Sequence, residues 1–319
     1  MRALAWFLGT LLAAGLIGAL LAYPAYELAS RIAPFAFHRV ASRVAMLILL
    51  ALLVWLFRHL GLTTKRDLGY GLPWGRFLKV SALWGVIGVA TASAGACFLL
   101  ATGLRVVPDP EALLSAPSLA RLLAIGLSSG IAVALLEETV LRGAMHTAIA
   151  RESGQWCAVA TTAPLYAILH FFANAHIPPD QLSWASGFDL LARSAAPWSH
   201  PAVVFDAFLA WLAVGLVLSL TRVLSGNIAA AVGLHAGWVA VLRLLSEGTA
   251  PGAGAASSAW VGRLDGLLGY WILPWAAAIA LVLWLTRSRW APYAAGVGVL
   301  SGAIDASLSR RSTGSSISR

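Results

Sequence analysis

Charge is what this chain has least of. Of its 319 residues, 11% are Asp, Glu, Lys or Arg and 60% are hydrophobic, whereas an ordinary soluble domain carries roughly 25% charged residues. A soluble globule of this composition would leave apolar surface uncovered, so that class is excluded. Cysteine is nearly absent: Cys97 and Cys157 both fall in apolar stretches, which argues against a disulfide framework and against a cysteine metal cluster. Acidic residues number 13 against 22 basic ones. No basic run is interleaved with aromatics, so no nucleic-acid partner is expected. Nor is there an internal repeat of the kind many secondary transporters carry.

What is present is apolar length. Eight stretches reach the roughly 20 residues that a membrane span needs; they run approximately 3–28, 42–62, 77–104, 118–150, 155–177, 201–224, 226–247 and 267–286. The expected fold is all-α, a polytopic membrane helical bundle of about eight transmembrane helices. It forms one integral domain over 1–305, followed by a disordered Ser/Arg tail at 306–319 that is too polar to pack. The first stretch exceeds a signal-peptide core and lacks a small-x-small cleavage site, so it is read as a span. The fourth is over-long and should tilt or project. A cytoplasmic N-terminus puts 14 of the 22 basic residues on the inner side, so both termini are expected in the cytoplasm. The loop 178–200, with Trp184 and Trp198, is expected to hold a short interfacial helix. Glu27 and Asp206 have no evident role.

Against this background the stretch LLEETVLRG, 135–143, stands out, because Glu137, Glu138 and Arg142 fall inside a span. A charge at the bilayer centre costs at least about 2.5–3.5 kcal/mol. Glu138 and Arg142 are spaced i,i+4 and share a face, so they can neutralise each other and fix a helix packing angle. Glu137 is rotated by about 100° and needs a polar environment of its own. The fifth span carries YAILHFFANAH, 166–176. Folding spans four and five as a hairpin about Ser153 places Glu137, 16 residues before it, and His170, 17 after it, at one depth. A carboxylate and an imidazole so placed can share a water; the plainer reading of His170 is a hydrogen-bonded packing residue. His235 follows in the seventh span, nine residues beyond Gly226 and flanked by Gly233, Ala236 and Gly237. Measured from its own turn it is about 10 Å shallower, unless the hairpin projects further. The small residues beside it permit close helix approach or leave room for a substrate backbone.

This order of elements resembles the CAAX-protease and bacteriocin-processing family of membrane proteases, also described as abortive-infection or type II CAAX prenyl endopeptidase-like. The pattern is a Glu-Glu-x-x-x-Arg helix, then an aromatic-x-x-x-His helix, then a His on a later helix. The resemblance covers roughly 118–245. It implies that Glu137 is the catalytic glutamate, that Glu138 and Arg142 complete the first motif, and that His170 and His235 are the histidines of the second and third. Tyr166 stands where the family usually has Phe, and Val239 where it usually has Asn, four residues after the third-motif His. Asn174, one turn beyond His170, is the candidate substitute for that missing donor.

The resemblance further implies an intramembrane glutamate-type endopeptidase of a bacterial inner membrane, without a cofactor. Its partners are the lipid bilayer and a peptide or lipidated, prenylated protein substrate. Hydrolysis without a Ser or Cys nucleophile needs an activated water and donors for the oxyanion; Glu137 with His170 would activate the water and His235 would serve the oxyanion or leaving amine. Three alternatives stay open. Zinc held by Glu137, His170 and His235 is one, although no His-Glu-x-x-His occurs. A proton-coupled transporter would also place Glu, His and Arg at mid-membrane. A non-catalytic scaffold or self-immunity protein of the same fold is kept in view by Val239.

Overall fold

The computed structural model describes residues 1–171, 175–263 and 266–290. In chain order its main helices are α1 (Arg2–Ser30), α2 (Phe37–His59), α3 (Trp74–Ala101), the short α4 (Pro110–Leu114) and α5 (Ala116–Glu137). A π-helical segment, Glu138–Met145, runs without a break into α6 (His146–Ser153). Then follow α7 (Gln155–Leu169), α8 (Ser186–Ala195), α9 (Pro201–Ser225), α10 (Ala229–Gly248) and α11 (Ile272–Leu285). The chain is an integral membrane protein and an all-α bundle. Six described helices are long and apolar enough to cross a bilayer, with α5, the π segment and α6 counting as one helix of 38 residues, Ala116–Ser153. At 1.5 Å per residue that helix is about 57 Å long, nearly twice a hydrocarbon core of roughly 30 Å.

Two of the eight expected spans are helical over a shorter stretch than their apolar length. The stretch 155–177 forms a helix only to Leu169, and 267–286 only over Ile272–Leu285, giving 15 and 14 residues. In the first case the helix ends at the second-motif histidine itself: His170 is the C-terminal cap of α7. The loop 178–200 does hold a helix, α8, but it is packed rather than merely interfacial. Ser186 and Gly187 are buried, and a Cβ at Gly187 would collide with the carbonyl of Ala19 in α1. The tail 306–319 lies outside the described residues.

α10 is the centre of the bundle, buried along most of its length between α3 and α5. Glycines bring these backbones into contact. Side chains at Gly233 or Gly237 would strike the Ser81 and Gly85 carbonyls of α3, so the small residues around His235 serve close helix approach. A two-residue antiparallel ladder, β1 (Arg105–Val106) with β2 (Ala250–Pro251), ties the far ends of α3 and α10 together, pairing Arg105 with Pro251 and Val106 with Ala250. Arg105 reinforces it through Nε to the Thr249 hydroxyl (2.8 Å) and Nη2 to the Thr249 carbonyl (2.6 Å). Asp206 finds its role in the same region. It is buried, with Oδ1 accepting from the Ala207 amide at 2.8 Å and Oδ2 from the Arg263 amide at 3.1 Å, and so fastens the loop before α11 to α9.

Candidate active site

The site is built around the change of helical winding at Glu138. A π turn closes i→i+5 hydrogen bonds and is uncommon away from functional positions; here several outside contacts support it. Arg222 of α9 donates from Nε to the Arg142 carbonyl at 3.0 Å, and Tyr70 is hydrogen-bonded to the Thr139 hydroxyl at 2.6 Å. Gly143 lies directly under the Leu68 carbonyl, where any Cβ would collide. The basic loop before α3 thus rests on the π segment. Its Asp67 bonds Arg151 at the end of the same long helix, and its Gly69 carbonyl accepts from Ile228 at the start of α10.

Within the π segment Glu138 and Arg142 are both completely buried and form the ion pair that their spacing permits, Oε1 to Nη1 at 3.0 Å. The same Oε1 takes a second partner, His235 Nδ1, at 2.9 Å. A carboxylate oxygen accepts, so His235 carries its proton on Nδ1 toward Glu138 and presents Nε2 on its other side. Arg142 also donates from Nη2 to the Gly215 carbonyl of α9 (3.2 Å) and lies 4.5 Å from the Tyr166 ring centre, a cation–π contact. One guanidinium thus joins the first-motif helix, α7 and α9.

Glu137 closes α5 and points elsewhere, as its rotation requires. Its Oε2 is buried with no hydrogen-bond partner among the described residues, and the charged groups that act on it are His235, Glu138 and Arg142. His170 at the end of α7 turns Nδ1 onto the Tyr166 carbonyl at 2.7 Å. Because a carbonyl can only accept, that nitrogen is protonated and Nε2 is free. Its ring stacks on Trp211 with centroids 3.7 Å apart and planes 21° from parallel. Glu137 and His170 make no direct hydrogen bond. The direct carboxylate–imidazole bond of the site joins Glu138 to His235, a contact that the spacing alone does not give. It also removes the depth mismatch expected for His235.

His170, His235 and Tyr166 line a cavity whose remaining walls are apolar. Trp211, Trp238, Trp271 and Trp275 frame it, and Val133, Val239 and Leu242 fill the gaps. Three of these indoles have their N–H groups engaged elsewhere. Trp238 bonds the Thr91 hydroxyl (3.0 Å), Trp275 the Thr91 carbonyl (2.9 Å) and Trp271 the Leu267 carbonyl (2.8 Å), so their apolar faces are what the cavity offers. Val239 lines this cavity one helical turn beyond His235. Asn174, its candidate substitute, lies outside the described residues. Among the described residues no three of His, Cys, Asp and Glu converge as a metal-binding set. His235 and His170 each have Nδ1 engaged, which leaves Nε2 as the ring nitrogen open to a further partner.

Sequence reasoning missed His146, Trp211, Arg222 and the Gly215 carbonyl. His146 had a signal: with Glu138 and Arg142 it repeats every fourth residue along one helix. The others act through partners remote in sequence.

The family model described as type II CAAX prenyl endopeptidase Rce1-like matches residues 119–241, which include Glu137, Glu138, Arg142, Tyr166, His170, His235 and Val239. No curated protein and no solved structure matches the chain.

Proposed function

Through residues 119–241 the chain belongs to the type II CAAX prenyl endopeptidase family, and on that premise we propose that it is a glutamate-type intramembrane endopeptidase using no metal. The observation that carries this reading is the placement of two imidazoles with free Nε2 atoms, His170 and His235, on the wall of an apolar cavity, with the Glu137 and Glu138 carboxylates behind them. An apolar cavity beside proton-transfer groups suits a substrate that arrives by way of the bilayer: a lipidated, prenylated or simply apolar segment of a membrane-associated peptide. The expected setting is a bacterial inner membrane with both termini in the cytoplasm, the bilayer and the substrate being the partners.

In this mechanism the Glu137 carboxylate takes one proton from a water as its oxygen adds to the scissile carbonyl carbon. His235, as an imidazolium stabilised by Glu138, stabilises the oxyanion and then passes its Nε2 proton to the amine as the C–N bond breaks. Transfer of the proton from Glu137 back to His235 restores both groups, so one water is consumed per bond. His170, fixed by the Tyr166 carbonyl and Trp211, positions the water from the opposite side.

The test is cleavage of a farnesylated C-terminal peptide and of a mixed-peptide library by detergent-purified protein, beside Glu137→Ala and with a strong chelator. Cleavage that survives chelation and disappears in Glu137→Ala supports the reading. Loss with chelator and return with zinc overturns the metal-free chemistry. Val239, an apolar side chain where the family has a donor, favours one second reading, a non-catalytic scaffold or immunity protein. No cleavage of any substrate by the wild type, with activity gained in Val239→Asn, is the outcome expected of that alternative.

A further inference from the structure

Buried polar atoms without partners are rare, because a fold that strands them bears their full desolvation cost. Among the described residues the side-chain atoms in this condition are Glu137 Oε2, Glu138 Oε2, Arg142 Nε, His146 Nδ1, Thr147 Oγ1 and Tyr166 Oη. Five of the six belong to one stretch of eleven residues, 137–147, and the sixth belongs to Tyr166, whose ring lies against Arg142. Four of the side chains involved, Glu138, Arg142, His146 and Tyr166, are at least 98% buried. Glu138, Arg142 and His146 recur every fourth residue and so form one stripe along the helix.

The stripe leads away from the catalytic carboxylates. It runs about 12 Å along the helix axis, from Glu138 to His146, in the direction of the α6–α7 turn, with Glu137 and Thr147 on adjoining faces at its two ends. His146 is within electrostatic reach of Arg222, which holds the Arg142 carbonyl and is itself partly exposed near the α9–α10 turn. The unpartnered atoms thus extend from the proposed proton acceptor, Glu137, on the adjoining face, toward the half-buried Arg222 beside the α9–α10 turn. Its charges balance, Glu137 and Glu138 against Arg142 and Arg222, which favours a neutral polar occupant over an anion or a cation. The apolar cavity is a poor alternative source of water, since its other walls are Trp, Val, Leu, Ile and Ala.

We propose that this stripe is a built hydration site, a file of ordered waters past His146 and Arg142 that delivers the hydrolytic water to Glu137 from the Arg222 end while the apolar cavity receives the substrate. The use of that water in hydrolysis rests on the peptidase reading above; the existence of the file does not. His146 is then a positioning residue, holding waters rather than touching substrate.

Pulsed radiolytic hydroxyl labelling of the detergent-purified full chain tests this without any substrate. Radicals generated from bound water mark the side chains beside it. After correction for intrinsic reactivity, Tyr166, His146 and Met145 are expected to label at least tenfold faster than Phe37, which is also buried but packs in a separate cluster with Ala22, Ala41 and Ile177. His146→Leu should lower Tyr166 labelling severalfold, and His146→Gln, which keeps a polar head, should restore it. Tyr166 and His146 labelling no faster than Phe37 overturns the hydration site. Rapid labelling of Tyr166 that His146→Leu leaves unchanged overturns the route. Since labelling needs no turnover, these results are separate from the cleavage assay. Where cleavage occurs, His146→Leu is expected to lower kcat and leave KM in place.

Discussion

His235 Nδ1 lies 2.9 Å from Glu138 Oε1, the same oxygen that Arg142 Nη1 approaches to 3.0 Å. One buried carboxylate oxygen therefore holds both the guanidinium that ties three helices together and the imidazole that faces the cavity. Glu138 is a structural and a positioning residue at once, and its neighbour Glu137 is neither. Replacing each by glutamine separates the two. Glu138→Gln should lower cleavage by about 10², chiefly in kcat, and lower the thermal midpoint as well. Glu137→Gln should abolish cleavage and leave the midpoint unchanged or raised, because an unpartnered buried charge is removed. Equal losses of stability in both would sink this assignment.

Arg142 offers the sharper stability test. Truncating one member of a fully buried pair leaves the other uncompensated, at a cost of about 3–5 kcal/mol. Arg142→Met should show a loss of that order in chemical denaturation. Adding Glu138→Leu to it should recover part of the loss, because no buried charge is then stranded. A double variant less stable than the single one contradicts this account.

The loop under the π segment carries a pH dependence. Burial pushes the Asp67 carboxyl up, but bonds with the Thr64 main chain and hydroxyl and with Arg151 outweigh it and hold it below its ordinary value of 3.8. A group with a lowered folded-state pKa contributes stability that is complete above the unfolded value and is lost as pH falls through the folded one. Wild type should therefore be more stable than Asp67→Asn near neutrality, and the difference should shrink below about pH 4. Thermal midpoints of both proteins across that range decide it; a gap that is constant with pH speaks against the argument.

Narrowing the cavity should affect binding before chemistry. Leu242 lines it from α10, two turns beyond His235. Leu242→Trp would fill the space without touching the Glu138–His235 bond. The expected result is a rise in KM of about tenfold or more for long apolar substrates, with kcat within about threefold. A fall in kcat at constant KM would show that this space does not hold substrate.

The membrane class, the all-helical fold and the ion pair Glu138–Arg142 were legible in the sequence, because apolar length and i,i+4 spacing are local properties. What could not be read locally was which carboxylate meets which histidine. The rotation from Glu137 to Glu138 depends on a π turn that is supported by Arg222, Tyr70 and Leu68, all remote in sequence. The ends of α7 and α11 were not read either, although His170 and Asn174 in HFFANAH and the two glycines in GLLGYW mark where the apolar runs weaken. Asp206 looked anomalous because its partner, the Arg263 amide, lies 57 residues away.

The glycine contacts between α3 and α10, clipped at one end by the Arg105–Pro251 ladder, divide the cavity mechanically. On that side backbone rests on backbone and there is no side-chain layer to deform. The facing wall is made of indoles, Trp271 and Trp275, that reach α3 through single side-chain contacts with Gly95 and Thr91. His235 is thereby mounted on the stiff half of the molecule. Compliance toward substrates of different girth belongs to the rotamers of the tryptophans, so the chamber can widen without moving the imidazole.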